Sequence, residues 1–261
     1  MGLWLLEHLP TVVLTVLVVG GVTAAAVAGS VLAHRRLPSL ASGENNEMVG
    51  VVLGVFGAIY GIILAFVIVN LWTQLQDARH VVSAEATSIS QVVRDTEAFP
   101  PSARTAVNDA VGSYVHAVVE QQWPLMRTGR GTFEATGQNV DAIYAALRAY
   151  EPRSQSQQAF YAKALDSLND AVGQRRARIE ASQEELPGLL WVLVVGGALV
   201  ILLLALLYRV PGQAARMLFV SSVAALIGFS LLLVLVLDRP FVGDLSISPL
   251  PFQESSLARF W

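Results

Sequence analysis

Four stretches of this chain carry no Asp, Glu, Lys or Arg: residues 9–33, 48–76, 186–208 and 217–237. About 20 residues of apolar helix cross the hydrocarbon core of a bilayer. In that core the backbone must satisfy its own hydrogen bonds, which restricts spanning structures to helices and closed barrels. Four runs of this length predict an all-α membrane protein with four transmembrane helices, and the lipid bilayer is its first partner. A soluble enzyme is excluded by the same runs. Charged residues are 14% of the chain, against about 25% in soluble domains. The first run is expected to stay as a helix rather than act as a signal peptide. Met1–Pro10 has no Lys or Arg, and the apolar stretch is too long for a signal core.

The runs divide the chain. Residues 1–72 hold helices one and two, 73–186 form a hydrophilic insert, 187–238 hold helices three and four, and 239–261 read as an irregular tail rich in Pro and Gly. The insert carries 14 acidic and 11 basic residues, so it is solvated and extramembrane, and its apolar residues recur at helical spacing. Pro100-Pro101 breaks its first helix. Val107, Val111, Tyr114 and Val118 stripe a second, expected to end at Trp123-Pro124. Arg127–Gly137 reads as a loop, Val140–Tyr150 as a short helix, and Ser154 starts a long helix running to Pro187.

Two heptad seams join the insert to the membrane helices. Leu71, Leu75, Ala78, Val82, Glu85, Ile89 and Val92 repeat at 4 and 3 residues, and so do Tyr161, Leu165, Leu168, Val172, Arg175, Ile179, Ser182 and Leu186. Helix two should therefore run on into the insert, and the insert should return continuously into helix three. Each seam carries a charge, Glu85 on one and Arg175 on the other. At 1.5 Å per residue they reach nearly equal heights. Either they form a buried ion pair, or the helices turn and both reach solvent; unpaired charge on a seam is costly, which favours the pair.

Helix two has two further faces. Gly50, Gly54, Gly57, Gly61 and Ala65 make a small-residue face, for which the simpler expectation is packing on helix one and the alternative is packing between subunits. Ile62, Phe66, Asn70, Gln74 and Asp77 grade from apolar to polar. A pore entrance would show this gradient, and so would any helix leaving a membrane.

Other chemistry is missing from the sequence. There is no cysteine, and His8, His34, His80 and His116 lie far apart, so no metal site, cofactor site or catalytic constellation is legible and no enzyme activity is expected. A net charge of −3 offers nothing to nucleic acid.

Several motifs follow one another in order: Glu47 before helix two, Gly57-x-x-Tyr60, Ala65-Phe66, Trp72, Glu85-Ala86, Tyr114, Trp123-Pro124, Arg175, Leu186-Pro187 and the string Asp238-Arg239-Pro240-Phe241-x-Gly243-Asp244. Their order and spacing resemble the bestrophin-like domain family of bacterial four-span membrane proteins. The closing string is the most specific. Asp238 and Arg239 read as a helix end and interface anchor. The resemblance implies a distant likeness to bestrophins, pentameric anion channels whose second helix lines the pore. It thus implies a homo-oligomeric ion channel in a bacterial plasma membrane, with permeant ions as further partners. It carries no acidic calcium cluster, so calcium gating is not implied. A non-conducting scaffold or sensor whose insert binds a partner is the alternative.

Orientation has two readings. Arg35, Arg36, Arg209 and Arg216 in the short loops put both termini and the insert outside under the positive-inside rule. The likeness to bestrophins implies the reverse.

Overall fold

The computed structural model describes residues 9–36, 45–243 and 245–261. The chain is all-helical, with four long apolar helices and no strand among the described residues. The order is α1 (Thr11–Arg36), α2 (Asn46–Asp95), α3 (Pro101–His116), a π turn (Ala117–Gln122), α4 (Trp123–Arg127), α5 (Glu134–Arg148), α6 (Gln155–Gln183), α7 (Gly188–Leu207) and α8 (Gln213–Leu237), with 3-10 turns after α2 and in the tail. Two compact units form: Met1–Thr73 with Glu185–Asp238, and Gln74–Glu184 with Arg239–Trp261.

The first unit holds α1, the first half of α2, α7 and α8. Helix α1 packs on α8, where Ala26 meets Val220 and Ala224. Gly228 permits close approach there, because a Cβ on it would sit 2.9 Å from the Val19 Cα. Helix α7 packs on α8 through Ala198, Ile201 and Ile227. Helix α2 leans on α7 along a ladder of contacts. The Asn46 side chain donates to the Arg209 carbonyl (3.1 Å) and accepts from the Arg209 N–H (2.8 Å). The Tyr208 ring covers Gly50, Leu53 reaches the α7–α8 core, and the Tyr60 ring fills the notch left by Gly197. The Tyr60 hydroxyl donates to the Val194 carbonyl (3.0 Å).

The glycine face of α2 is therefore not packed on α1. Gly50 meets Tyr208, but a Cβ on Gly54, Gly57 or Gly61 would meet nothing within 4 Å. Tyr60, on a neighbouring face, carries the contact with α7 in their place.

The second unit confirms the α2 seam: Leu75, Ala78, Val82, Glu85, Ile89 and Val92 are all buried. Pro101 opens α3 at a position where its missing N–H costs nothing. The helix does not stop at Trp123-Pro124. A π turn precedes the proline, with the Trp123 N–H donating to the Val118 carbonyl, and helix resumes to Arg127. The wider turn makes room for the Pro124 ring and absorbs its missing donor. Helix α5 starts earlier than expected, at Glu134. The Ser154 side chain caps α6 by accepting from the Gln157 N–H (3.1 Å).

Two further expectations need correction. The insert does not return continuously into helix three, because α6 ends at Gln183 and α7 begins at Gly188. Pro187 disfavours helix at Leu186, and the Leu186 N–H donates instead to Asp238 Oδ1 (2.6 Å). The tail 239–261 is not irregular either. It carries 3-10 turns at Leu250–Gln253 and Ser255–Phe260 and buries Phe241, Phe252 and Leu257 in the second unit. Those apolar residues outweigh the tail's Pro and Gly content.

Candidate functional site

The second unit is built around charge. Glu85 lies on the buried face of α2, and Arg178 reaches it from α6. Both side chains are 0% exposed. Arg178 Nε donates to Glu85 Oε2 (2.6 Å) and Nη2 donates to Oε1 (3.0 Å), a two-pronged pair. Nη2 also donates to Gln122 Oε1 (2.8 Å), and Nη1 contacts Met126 Sδ (3.0 Å). The guanidinium lies over the Trp123 ring (5.6 Å) and the Phe252 ring (5.7 Å). Tyr114 on α3 donates its hydroxyl to Glu85 Oε1 in a short hydrogen bond. Both oxygens of the carboxylate and most donors of the guanidinium are thus engaged, as burial of such a pair demands.

These contacts set the protonation states. Burial, then the adjacent Glu85 charge, pushes the Tyr114 hydroxyl well above its usual range, so it stays a donor. Burial pulls Arg178 down, but the Glu85 carboxylate and Tyr114 outweigh it and hold the guanidinium charged.

The expected Glu85–Arg175 pair is not formed. Arg175 is buried beside the cluster but turns towards α5. Its Nε donates to Thr136 Oγ1 (2.8 Å), its Nη2 donates to the Phe133 carbonyl, and it lies over the Phe133 ring (5.6 Å). Burial lowers its pKa, only partly opposed by nearby Tyr114 and Glu85. Thr136 passes the network on by donating to Gln122 Oε1 (3.3 Å), and Gln122 Nε2 donates to the Thr132 carbonyl (2.9 Å). The buried residues of α6 are Ala164, Leu168, Ala171, Arg175, Arg178, Ile179 and Ser182, and all but Ile179 follow a spacing of 4, 3, 4, 3, 4. That register was legible. The larger Leu165 and Val172 carry a competing repeat on a face turned slightly away, which leaves out Arg178, Ala164 and Ala171. Gln122 had no sequence signal, because only the π turn brings it inward.

The closing motif makes a turn. Asp238 caps α8 and holds the Leu186 N–H, so the Leu186-Pro187 and Asp238 motifs meet. After it, the Val242 N–H donates to the Arg239 carbonyl (3.1 Å) and the Ile247 N–H to the Pro240 carbonyl (2.9 Å). Phe241 is buried edge-on to Trp123 (5.8 Å). Gly243 has φ +84°, which favours glycine. Asp244 lies outside the described residues. Glu47 sits in the first turn of α2, where its charge favours the helix dipole.

The graded face of α2 is uncovered. Ile62 is 60% and Phe66 72% exposed, Asn70 and Asp77 are exposed, and Gln74 is half-buried. Trp72 is exposed beside them, while Leu64, Val67 and Leu71 on the opposite side are buried. Among the described residues no group of three His, Asp or Glu could hold a metal ion.

A family model described as the bestrophin-like domain matches residues 20–252, nearly the whole chain. No curated protein and no solved structure matches it.

Proposed function

This chain belongs to the bestrophin-like domain family, and from that premise we propose that it is a homo-oligomeric ion channel in which copies of α2 surround a pore. The observation that carries the reading is Asn70. It is an exposed amide inside the uncharged run 48–76, on the line Ile62, Phe66, Asn70, Gln74, Asp77. A polar side chain turned to lipid is costly. Facing water in a pore removes that cost. The open stripe of Gly54, Gly57 and Gly61 supports the same reading, since small residues allow another copy's helix to come close.

In this arrangement Phe66 forms an apolar constriction that gates by dewetting, and a ring of Asp77 carboxylates sets the sign of the ion at the mouth. Glu85–Arg178 takes no part in conduction; it stiffens the helix that presents the face. Five subunits is the number implied by likeness to bestrophins.

Reconstituted flux in liposomes tests the proposal. Phe66→Ser hydrates the narrow point and raises flux. Asp77→Lys shifts selectivity towards anions, because an oligomer turns one substitution into a ring of charge. Absence of flux from folded wild type and both variants, across cations, anions, pH and voltage, overturns the channel reading in favour of a scaffold whose second unit binds a partner.

A further inference from the structure

We infer that His116 is a proton-operated latch for the C-terminal tail: its imidazolium ties Glu120 to the Phe260 carbonyl, and loss of the proton releases one of the two ties. His116 ends α3. Its Nδ1 lies 3.0 Å from Glu120 Oε1, and its Nε2 lies 2.8 Å from the Phe260 carbonyl oxygen. A carboxylate and a carbonyl only accept hydrogen bonds. A neutral imidazole has one N–H, so one ring nitrogen would point a lone pair at an oxygen. Only the doubly protonated ring donates to both. Histidine is the side chain whose charge changes between pH 5 and 8.

The tail offers a ready lever. The Phe260 ring packs on Gly112, where a Cβ would come within 3.1 Å of it. The Trp261 ring lies 4.3 Å from the His116 ring, and its Nε1 donates to the Phe252 carbonyl (3.1 Å). Phe252 in turn covers Arg178 (5.7 Å). Tail docking and the lid on the buried ion pair are therefore one structure.

Charged side chains of the tail and of the neighbouring helices have partners of their own. Glu120 is on its own helical run. Arg259 on the tail is directed to Glu97 (3.6 Å), and Arg94 on α2 donates to Ser255 Oγ (3.3 Å). Helix α5 brings a neutral group near, the Asn139 amide on the Ser113 carbonyl (3.3 Å). Protonation strengthens the latch, so the tail is held most firmly in acid and loosened as pH rises. The proposal does not depend on conduction.

Amide hydrogen exchange of residues 250–261 in the full chain in detergent, from pH 5.5 to 8.5 and corrected for intrinsic exchange, tests it. Protection of the wild-type tail should fall about two- to five-fold with rising pH, the scale of one partly exposed ionic contact. His116→Gln should remove the dependence. Glu120→Gln should also flatten it, because an amide can either accept from or donate to Nδ1. Glu120 is exposed, so that variant keeps the test open if His116→Gln does not fold. A flat wild-type profile, or a Glu120→Gln profile as steep as wild type, overturns the latch.

Discussion

Arg178 holds Glu85 by two nitrogens at 2.6 and 3.0 Å, with neither side chain touching water. The pair joins α2 to α6 across 93 residues of sequence. Its surroundings show why it is tolerated: the Tyr114 hydroxyl and the Gln122 amide oxygen take up remaining capacity, and two aromatic rings cover the guanidinium face. Stability and the rotational setting of the two helices are thereby linked.

Breaking this pair should be among the most damaging single changes in the second unit. Removing one partner of a buried pair costs about 3–5 kcal/mol. Arg178→Ala and Glu85→Ala should both lower the melting temperature in detergent sharply. Arg175→Ala loses the hydrogen bonds to Thr136 and the Phe133 carbonyl and the contact over the Phe133 ring, but no ion pair, and should cost about 1–3 kcal/mol. Equal melting of Arg175→Ala and Arg178→Ala would contradict the assignment of the pair.

Tyr114 gives a pH dependence of definite sign. Its folded pKa lies above the free value of about 10. Its contribution is complete below that pH and is lost as pH rises beyond it, because the unfolded chain ionises first. Thermal melts from pH 8 to 11 should show wild type losing stability at the alkaline end. Tyr114→Phe should start lower and decline less steeply. Parallel curves for the two proteins would count against a buried neutral donor.

Asp238 should act through its acceptor oxygen rather than its charge. Asp238→Ala strands the buried Leu186 N–H, at a cost of about 1–3 kcal/mol. Asp238→Asn keeps an acceptor and should recover most of that loss. The comparison is a pair of melting curves.

The open glycines test the proposed oligomer. A Cβ on Gly57 meets nothing in the single chain, and Gly→Ala in a helix interior is worth about 1 kcal/mol. If other copies cover that face, Gly57→Leu should lower the oligomeric mass by light scattering while helicity stays unchanged. An oligomer of unaltered mass would place the subunit contact elsewhere.

Orientation is accessible with one thiol. The chain has no cysteine, and Ser156 is exposed near the start of α6. Ser156→Cys should react with a membrane-impermeant maleimide in intact cells if the positive-inside reading holds. Labelling confined to opened membranes would establish the reverse.

Much of this architecture was written in local pattern. Uncharged runs located the four apolar helices, Pro101 and Ser154 marked helix starts, and the 4–3 repeat from Leu71 to Val92 named the buried side of α2. Such features depend on residues a few positions apart, where geometry is set by the helix itself. Which arginine would meet Glu85 was a different kind of question. Arg175 and Arg178 are three residues apart on one helix, so both lie near the same face. A modest rotation of α6 and the reach of a long side chain decide between them. The rotation depends on how Ala164, Ala171 and the π-turned Gln122 pack, and on Thr136 and the Phe133 carbonyl drawing Arg175 away. The break before α7 was decided the same way, by an aspartate 52 residues distant taking the Leu186 N–H. Local periodicity determined which faces were apolar; only packing between distant segments decided which polar groups would satisfy one another there.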